Sequence, residues 1–234
     1  MSSIQRNFQS ALIYLLLIGV LLLLILGAYE SGLQLVHLKP ETLTWRELPW
    51  AVVLSLMRMT VSYFLSLVLA YALGMTAAKT AWGERVIIPL LDILQSVPVV
   101  AFFPAAISFF IGMWHGQRIG IEMAAIFLIV TSQAWNMAFA VYEAIKGLPE
   151  ESEEAVLGLG LTRTQRFFKL YAPASVPRLI SNSILSWSNG WFFLVACEII
   201  AVGPVEYNLP GIGSFLKRAA DNDDLGLVGA GLLA

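Results

Sequence analysis

Five stretches of the chain stay apolar for long enough to cross a bilayer. Ala11 to Tyr29 carries no charge, and Trp50 to Ala78 carries only Arg58. Val86 to Trp114 contains only Asp92, Ile119 to Tyr142 only Glu122, and Leu179 to Val205 only Glu198. A span requires about 20 apolar residues, because the hydrocarbon core is about 30 Å thick and a helix rises about 1.5 Å per residue. Backbone groups in lipid must pair within their own segment, so each run is predicted to be helical. A shorter apolar run, Leu225 to Ala234, follows Asp221-Asn222-Asp223-Asp224. It reaches only half-way across, as a sixth span cut off part-way or as a short interfacial helix. The expected fold class is therefore all-α: a polytopic membrane protein with five complete transmembrane helices plus a truncated sixth. Residues 1–49 are read as an N-terminal anchor helix and outer loop, and residues 50–234 as the core. The first run exceeds the 7–15 residues of a signal h-region, and Leu26-Gly27-Ala28-Tyr29-Glu30 is a poor cleavage site, so it is expected to be retained.

Composition agrees with this pattern. Of 234 residues, 58% are apolar and 13% charged, with a mean hydropathy of +0.76. Soluble domains are about 25% charged, which excludes an ordinary soluble enzyme. The net charge of −2 is too balanced for a nucleic-acid surface. The single cysteine, Cys197, has no intrachain partner and reads as a buried thiol. Basic residues in short loops set the orientation. With the amino terminus inside, cytoplasmic segments hold Arg6, Lys79, Arg85, Lys146, Arg163, Arg166, Lys169 and Arg178, against Lys39, Arg46, Arg118, Lys217 and Arg218 outside. The tight cluster between 163 and 178 decides for an inside amino terminus.

The loop from Lys146 to Arg178 carries the most pattern. Pro149 followed by Glu150, Glu151, Ser152, Glu153 and Glu154 predicts a helix start, with acids on the positive end of the helix dipole. Gly158 and Gly160 permit a turn. A second short amphipathic piece sets Arg163, Arg166 and Lys169 among Phe167, Phe168 and Leu170, and Pro173 and Pro177 lead into the next span. By composition alone, a solvated interhelical loop fits equally well.

Catalytic chemistry is sparse. His37 and His115 lie in different outer loops without a ligand-spaced partner, and neither a phosphate loop nor a nucleophile elbow occurs. No catalytic residue, metal or chain-bound cofactor is expected. Polar residues inside the spans are better clues. Ser132, Asn136 and Glu143 share one helical face, and Asn182, Ser186 and Asn189 share another. Such stripes either line a passage or hydrogen-bond neighbouring helices. Gln95-Ser96-Val97-Pro98 and Pro104 predict a kink or break in the third run, which fits a transport pathway or an ordinary proline kink. Glu198 completes the candidate lining set as a gate or binding-protein contact, or it is a hydrogen-bonded structural acid. Asp92 is a candidate partner for Arg58.

The loop resembles a specific signature. Glu154-Ala155-Val156, three residues, Gly160, nine residues and Leu170-Tyr171-Ala172-Pro173 follow the EAA loop of binding-protein-dependent ABC importer permeases, which reads E-A-A, three residues, G, nine residues, I-x-L-P. Glu154, Ala155, Gly160 and Pro173 fit, Leu170 is conservative, and Val156 and Ala172 depart. Leu90 to Pro98, Ser132 to Met137, Gly190 to Phe193, Ala196-Cys197-Glu198 and Leu209 to Gly213 are similar to the nitrate/sulfonate/taurine-type permeases. They most resemble the first unit of long permeases in which two units are fused, so the chain is expected to be such a unit lacking its last helix and its twin. The resemblance implies a multi-pass protein of the bacterial cytoplasmic (inner) membrane. It also implies a second permease unit, separate ATPase subunits that carry the ATP, and an extracytoplasmic substrate-binding protein. The loop at about 146–175 would lodge in a groove of the ATPase, with Ala155 and Leu159 as apolar anchors. A stand-alone secondary transporter or channel is the alternative and leaves this loop unexplained. The substrate is not implied, since related permeases carry small anions such as nitrate and sulfonates or other small molecules.

Overall fold

The structure, a computed structural model, describes residues 43–115, 118–202 and 205–234. The expected first span, Ala11 to Tyr29, lies outside the described residues. A 3₁₀ turn, Trp45–Glu47, leads into helix α1, Leu48–Lys79. Thr80 alone separates it from α2, Ala81–Ser96, and the Thr80 hydroxyl caps α2 by accepting from the Gly83 N–H at 3.0 Å. Pro89 lies inside α2 without ending it. Val97 ends it, held extended at φ −84°, ψ 126° by the proline that follows. A 3₁₀ turn, Val99–Phe102, then opens α3, Phe103–Met113, with Pro104 in its first turn. The expected break in the third run is therefore present, at Val97-Pro98.

Next come α4, Arg118–Lys146, α5, Glu150–Gly158, and the single turn α6, Arg163–Arg166. A π-helical turn, Phe167–Tyr171, joins α6 to α7, Ala172–Glu198. Its wider winding has a local cause: Pro173 offers no N–H to the carbonyl one turn back and its ring crowds that carbonyl, so the chain unwinds there. Strands β1, Ile199–Val202, and β2, Val205–Asn208, pair antiparallel with Ile199 opposite Asn208. Helices α8, Ile212–Asp221, and α9, Leu225–Leu233, complete the described chain.

One expectation is corrected here. The fifth apolar run was expected to stay helical to Val205, but α7 stops at Glu198 and a β-hairpin takes its last residues. The run Ile199-Ile200-Ala201-Val202 is rich in β-branched residues and is followed by Gly203-Pro204, a composition that favours strand and turn over helix. Among the described residues the fold is helical, as expected, apart from this one two-stranded hairpin.

Both α1 and α4 are long and apolar enough to cross a membrane. They pack along buried small residues of α1, namely Ser62, Ser66, Ala70, Gly74 and Ala77. This spacing brings one face of the helix close to its neighbour. A Cβ at Gly74 would stand 2.7 Å from the Ala138 carbonyl oxygen and 2.8 Å from the Val141 Cβ, so only glycine fits. Helix α7 packs against both α4 and α1. Gly190 there lies so close that a Cβ would sit 2.4 Å from both Met59 Cε and Gln133 Nε2.

Candidate functional site

Two constellations lie at opposite ends of the helical bundle. At the end carrying the 146–175 loop, α5 stands out from the bundle with Glu154, Ala155, Leu157 and Leu159 exposed, Leu159 at 74%. The Leu159 N–H donates to the Ala155 carbonyl at 3.0 Å, so these two side chains share a face as the sequence predicted. Pro149 caps α5 rather than sitting in its first turn. Gly160 adopts φ +63°, the left-handed region, and turns the chain from α5 toward α6. The turn is one a β-carbon would strain although the space around it is open.

Ion pairs tie this loop to the bundle. Lys79 at the end of α1 pairs with Glu153 of α5 and lies 4.6 Å from the centre of the Tyr171 ring. Glu143 of α4 pairs with Arg178 of α7. Glu84 of α2 accepts from Lys146 and from the Tyr142 hydroxyl, both at 2.7 Å. Those two donors, Lys146 first, hold the Glu84 carboxyl below its ordinary range. The Tyr71 and Phe167 rings meet edge to face, and Tyr71 also shares a 2.8 Å hydrogen bond with Ser175.

At the other end, buried charges from three helices converge. Arg58 of α1 donates two parallel bonds to Glu122 of α4, Nε to Oε2 at 2.7 Å and Nη2 to Oε1 at 2.8 Å. Its Nη1 donates to Glu198 Oε1 at 2.9 Å and to the Pro210 carbonyl at 2.8 Å. Glu198 also accepts from the Ser55 hydroxyl at 2.6 Å and from the Gly213 N–H at 2.7 Å, at the positive end of α8. Ser55 Oγ in turn accepts from the Ile212 N–H at 2.8 Å. The segment Leu209-Pro210-Gly211-Ile212-Gly213 is thereby clamped onto the bundle. A Cβ on Gly211 would stand 2.1 Å from Glu198 Oε1, and one on Gly213 2.7 Å from the Val195 carbonyl, which accounts for both glycines.

The cluster bears on two readings. Arg58 pairs with Glu122 and Glu198 and not with Asp92, which lies exposed on α2. Glu198 has no exposed surface in this chain and is hydrogen-bonded through both carboxylate oxygens, the arrangement of a structural acid. Glu122 went unassigned in sequence; the signal for it was that Arg58, Glu122 and Glu198 are each the sole charge of an apolar run.

The other lining candidates separate. Asn136 Nδ2 donates to the Asn182 carbonyl and to Ser186 Oγ, both at 3.3 Å, and Ser186 Oγ donates to the Gln133 carbonyl at 3.3 Å. Ser132 bonds back to the Ile129 carbonyl at 2.7 Å, and Asn182 Nδ2 to the Arg178 carbonyl at 3.0 Å. The two stripes thus meet at the α4–α7 contact and join the helices there. Gln95 and Asn189 are exposed, and Glu143 belongs to the ion pair at the loop end.

Comparisons with known proteins agree with this architecture. The family profile described as binding-protein-dependent transport system inner membrane component matches residues 70–233. The chain is 24% identical over 228 residues to the nitrate import permease protein NrtB of Leptolyngbya laminosa, covering 93% of this chain and 77% of that one. It is 23% identical to the taurine transport system permease protein TauC of Escherichia coli, covering 77% of this chain and 64% of the relative. It is 26% identical to the glycine betaine transport system permease protein OpuAB of Bacillus subtilis, covering 68% of this chain and 51% of the relative. A chain of the inward-facing MetNI methionine ABC transporter shares the fold at a TM-score of 0.65 and 18% identity, with 81% of this chain and 88% of that one covered. The chain belongs to the family of binding-protein-dependent transport system inner membrane components, the permease subunits of ABC importers.

Proposed function

We propose that this permease couples to separate ATPase subunits through α5 and the Gly160 turn, and moves a small solute along a path shared with a second permease unit. The observation that carries this reading is the protrusion of α5 from an ion-paired base, with Ala155 and Leu159 on its free face. Such a face suits a groove on a soluble partner. The ATPases bind and hydrolyse the ATP, and this chain binds no cofactor. Nucleotide-driven closure of the ATPases displaces α5, and Lys79, Tyr171 and Arg178 pass that displacement to α1 and α7. A nucleotide shifts the permease only so far as it binds the inward- and outward-facing states unequally.

In this arrangement the loop end is cytoplasmic and the Arg58 cluster lies toward the outer surface, where an extracytoplasmic binding protein delivers the solute. The amino terminus is inside, in a bacterial cytoplasmic membrane. Five spans are complete, and α9 begins a sixth. Gln95 and Asn189 are the lining residues that this reading retains.

Native mass spectrometry of the complex, extracted gently from its source membrane, tests the proposal. Two ATPase chains bound to a pair of permease units are expected. A homo-oligomer without ATPase, under conditions that preserve known importers, overturns it in favour of a secondary transporter. The Gly160→Asp variant is expected to leave ATP hydrolysis uncoupled from uptake, and full coupling in that variant removes the role of the turn.

A further inference from the structure

Resting on the permease reading above, we propose that Asp92 borders the solute passage and biases it toward solutes with a positive centre, cationic or zwitterionic, over anions. Helix α2 has three faces. Gly83, Ile87 and Leu91 are buried against the bundle, and Trp82, Val86, Leu90 and Ile93 form an exposed apolar face. Asp92, Gln95 and Ser96, spaced by three and four, form a separate exposed polar face. Asp92 lies about 9 Å along the helix from Val86, where the third apolar run begins, at about 1.5 Å per residue. That is roughly a third of the ~30 Å hydrocarbon thickness.

An ionisable group at that depth faces protein or water, not lipid. Among the described residues Asp92 has no hydrogen bond or ion pair, and Gln95 likewise has no side-chain partner. The Ser96 hydroxyl bonds only to its own helix, at the Ile93 carbonyl. Among the described residues of a second copy, Arg58 offers Asp92 no free base, because it is already held by Glu122 and Glu198. Arg85 stands on the same stripe about 10 Å toward the loop end, by the same rise per residue. That separation is near the Debye length, so in water it is largely screened from Asp92. No described residue pairs with this face, which leaves it open to water, and the helix break at Val97-Pro98 adjoins it. A lone carboxylate beside a narrow aqueous path attracts positive solutes and repels anions.

Thiol labelling of the complete transporter in native membranes tests this. Cys197, the one cysteine of this sequence, is fully buried, so labelling is read on this chain alone after the subunits are separated. The Gln95→Cys variant is treated with the cationic trimethylammonium-ethyl and the anionic sulfonato-ethyl methanethiosulfonates, each rate normalised to that reagent's rate with free thiol. Residues one helical turn apart lie about 5–6 Å from each other, where a carboxylate should favour the cationic reagent by about 3- to 10-fold. Adding Asp92→Asn should bring the ratio to about one by the same argument, and Ile93→Cys, on the apolar face, should react with neither reagent. Equal rates in the Gln95→Cys variant, or a ratio that Asp92→Asn leaves unchanged, overturn the proposal. So does silence toward both reagents in Gln95→Cys and Ser96→Cys while Asn222→Cys is labelled, since protein then covers the face. If Gln95→Cys does not accumulate, Ser96→Cys replaces it. Co-purification of ATPase subunits with the labelled variant is scored separately, so a failed permease reading is distinguishable from a failed assignment of Asp92.

Discussion

A charge that has left water needs a partner with matching geometry, and Glu198 has three donors around its two oxygens. Truncating one member of such a buried set leaves the others uncompensated, at a cost of about 3–5 kcal/mol. Glu198→Ala should therefore lower the melting temperature of the detergent-solubilised protein sharply, while Asn189→Ala, at an exposed position, should leave it unchanged; equal melting would refute the clamp. Glu84 behaves differently because it is exposed to solvent. Its carboxyl titrates lower in the folded chain than in the unfolded one, so its contribution is present above the ordinary carboxylate range and disappears as pH falls through the folded value. Melting curves of the native chain and of Glu84→Gln should differ near pH 7 and converge in acid well below about pH 4.

Helices were legible wherever hydrophobic pattern and breakers agreed. Val97-Pro98 marked the break between α2 and the Val99–Phe102 turn, and Gly160 marked the left-handed turn after α5. The end of α7 was not legible, because Ile199 to Val202 is as apolar as the helix before it and only β-branching distinguishes the two. Side-chain partners were harder still. Asn136 and Ser186 show the same spacing whether they face water or each other, and only the close approach at Gly190 reveals that they bond across helices. The same close approach governs α1 and α4. Replacing Gly74 by leucine overpacks a contact already at backbone distance and should destabilise the pair by about 1–3 kcal/mol or more. Leucine at the exposed neighbour Ala72 is the control. Matching melting temperatures for the two variants would show that the helices separate freely.

For the molecule as a unit, the two ends have opposite characters. At the loop end the ties are exposed ion pairs, each worth little and weakened by salt. At the other end they are buried and multiply bonded. Raising ionic strength should therefore loosen the base of α5 first, seen as faster hydrogen exchange over residues 150–158 while residues 209–215 stay protected; the reverse order would contradict the assignment of rigid and yielding ends. The Arg58 cluster also constrains how the protein is made. Its partners follow Arg58 by 64 and 140 residues. At about 5–20 residues per second, synthesis supplies Glu122 about 3–13 s after Arg58, and Glu198 about 7–28 s after it. Through that interval the guanidinium is carried by α1 without either acid, reaching for the interface along its own aliphatic stem. Insertion of the first half of the bundle is thus completed only when later helices arrive, and defects in Glu122 or Glu198 should appear as lost protein in the membrane before they appear as lost transport.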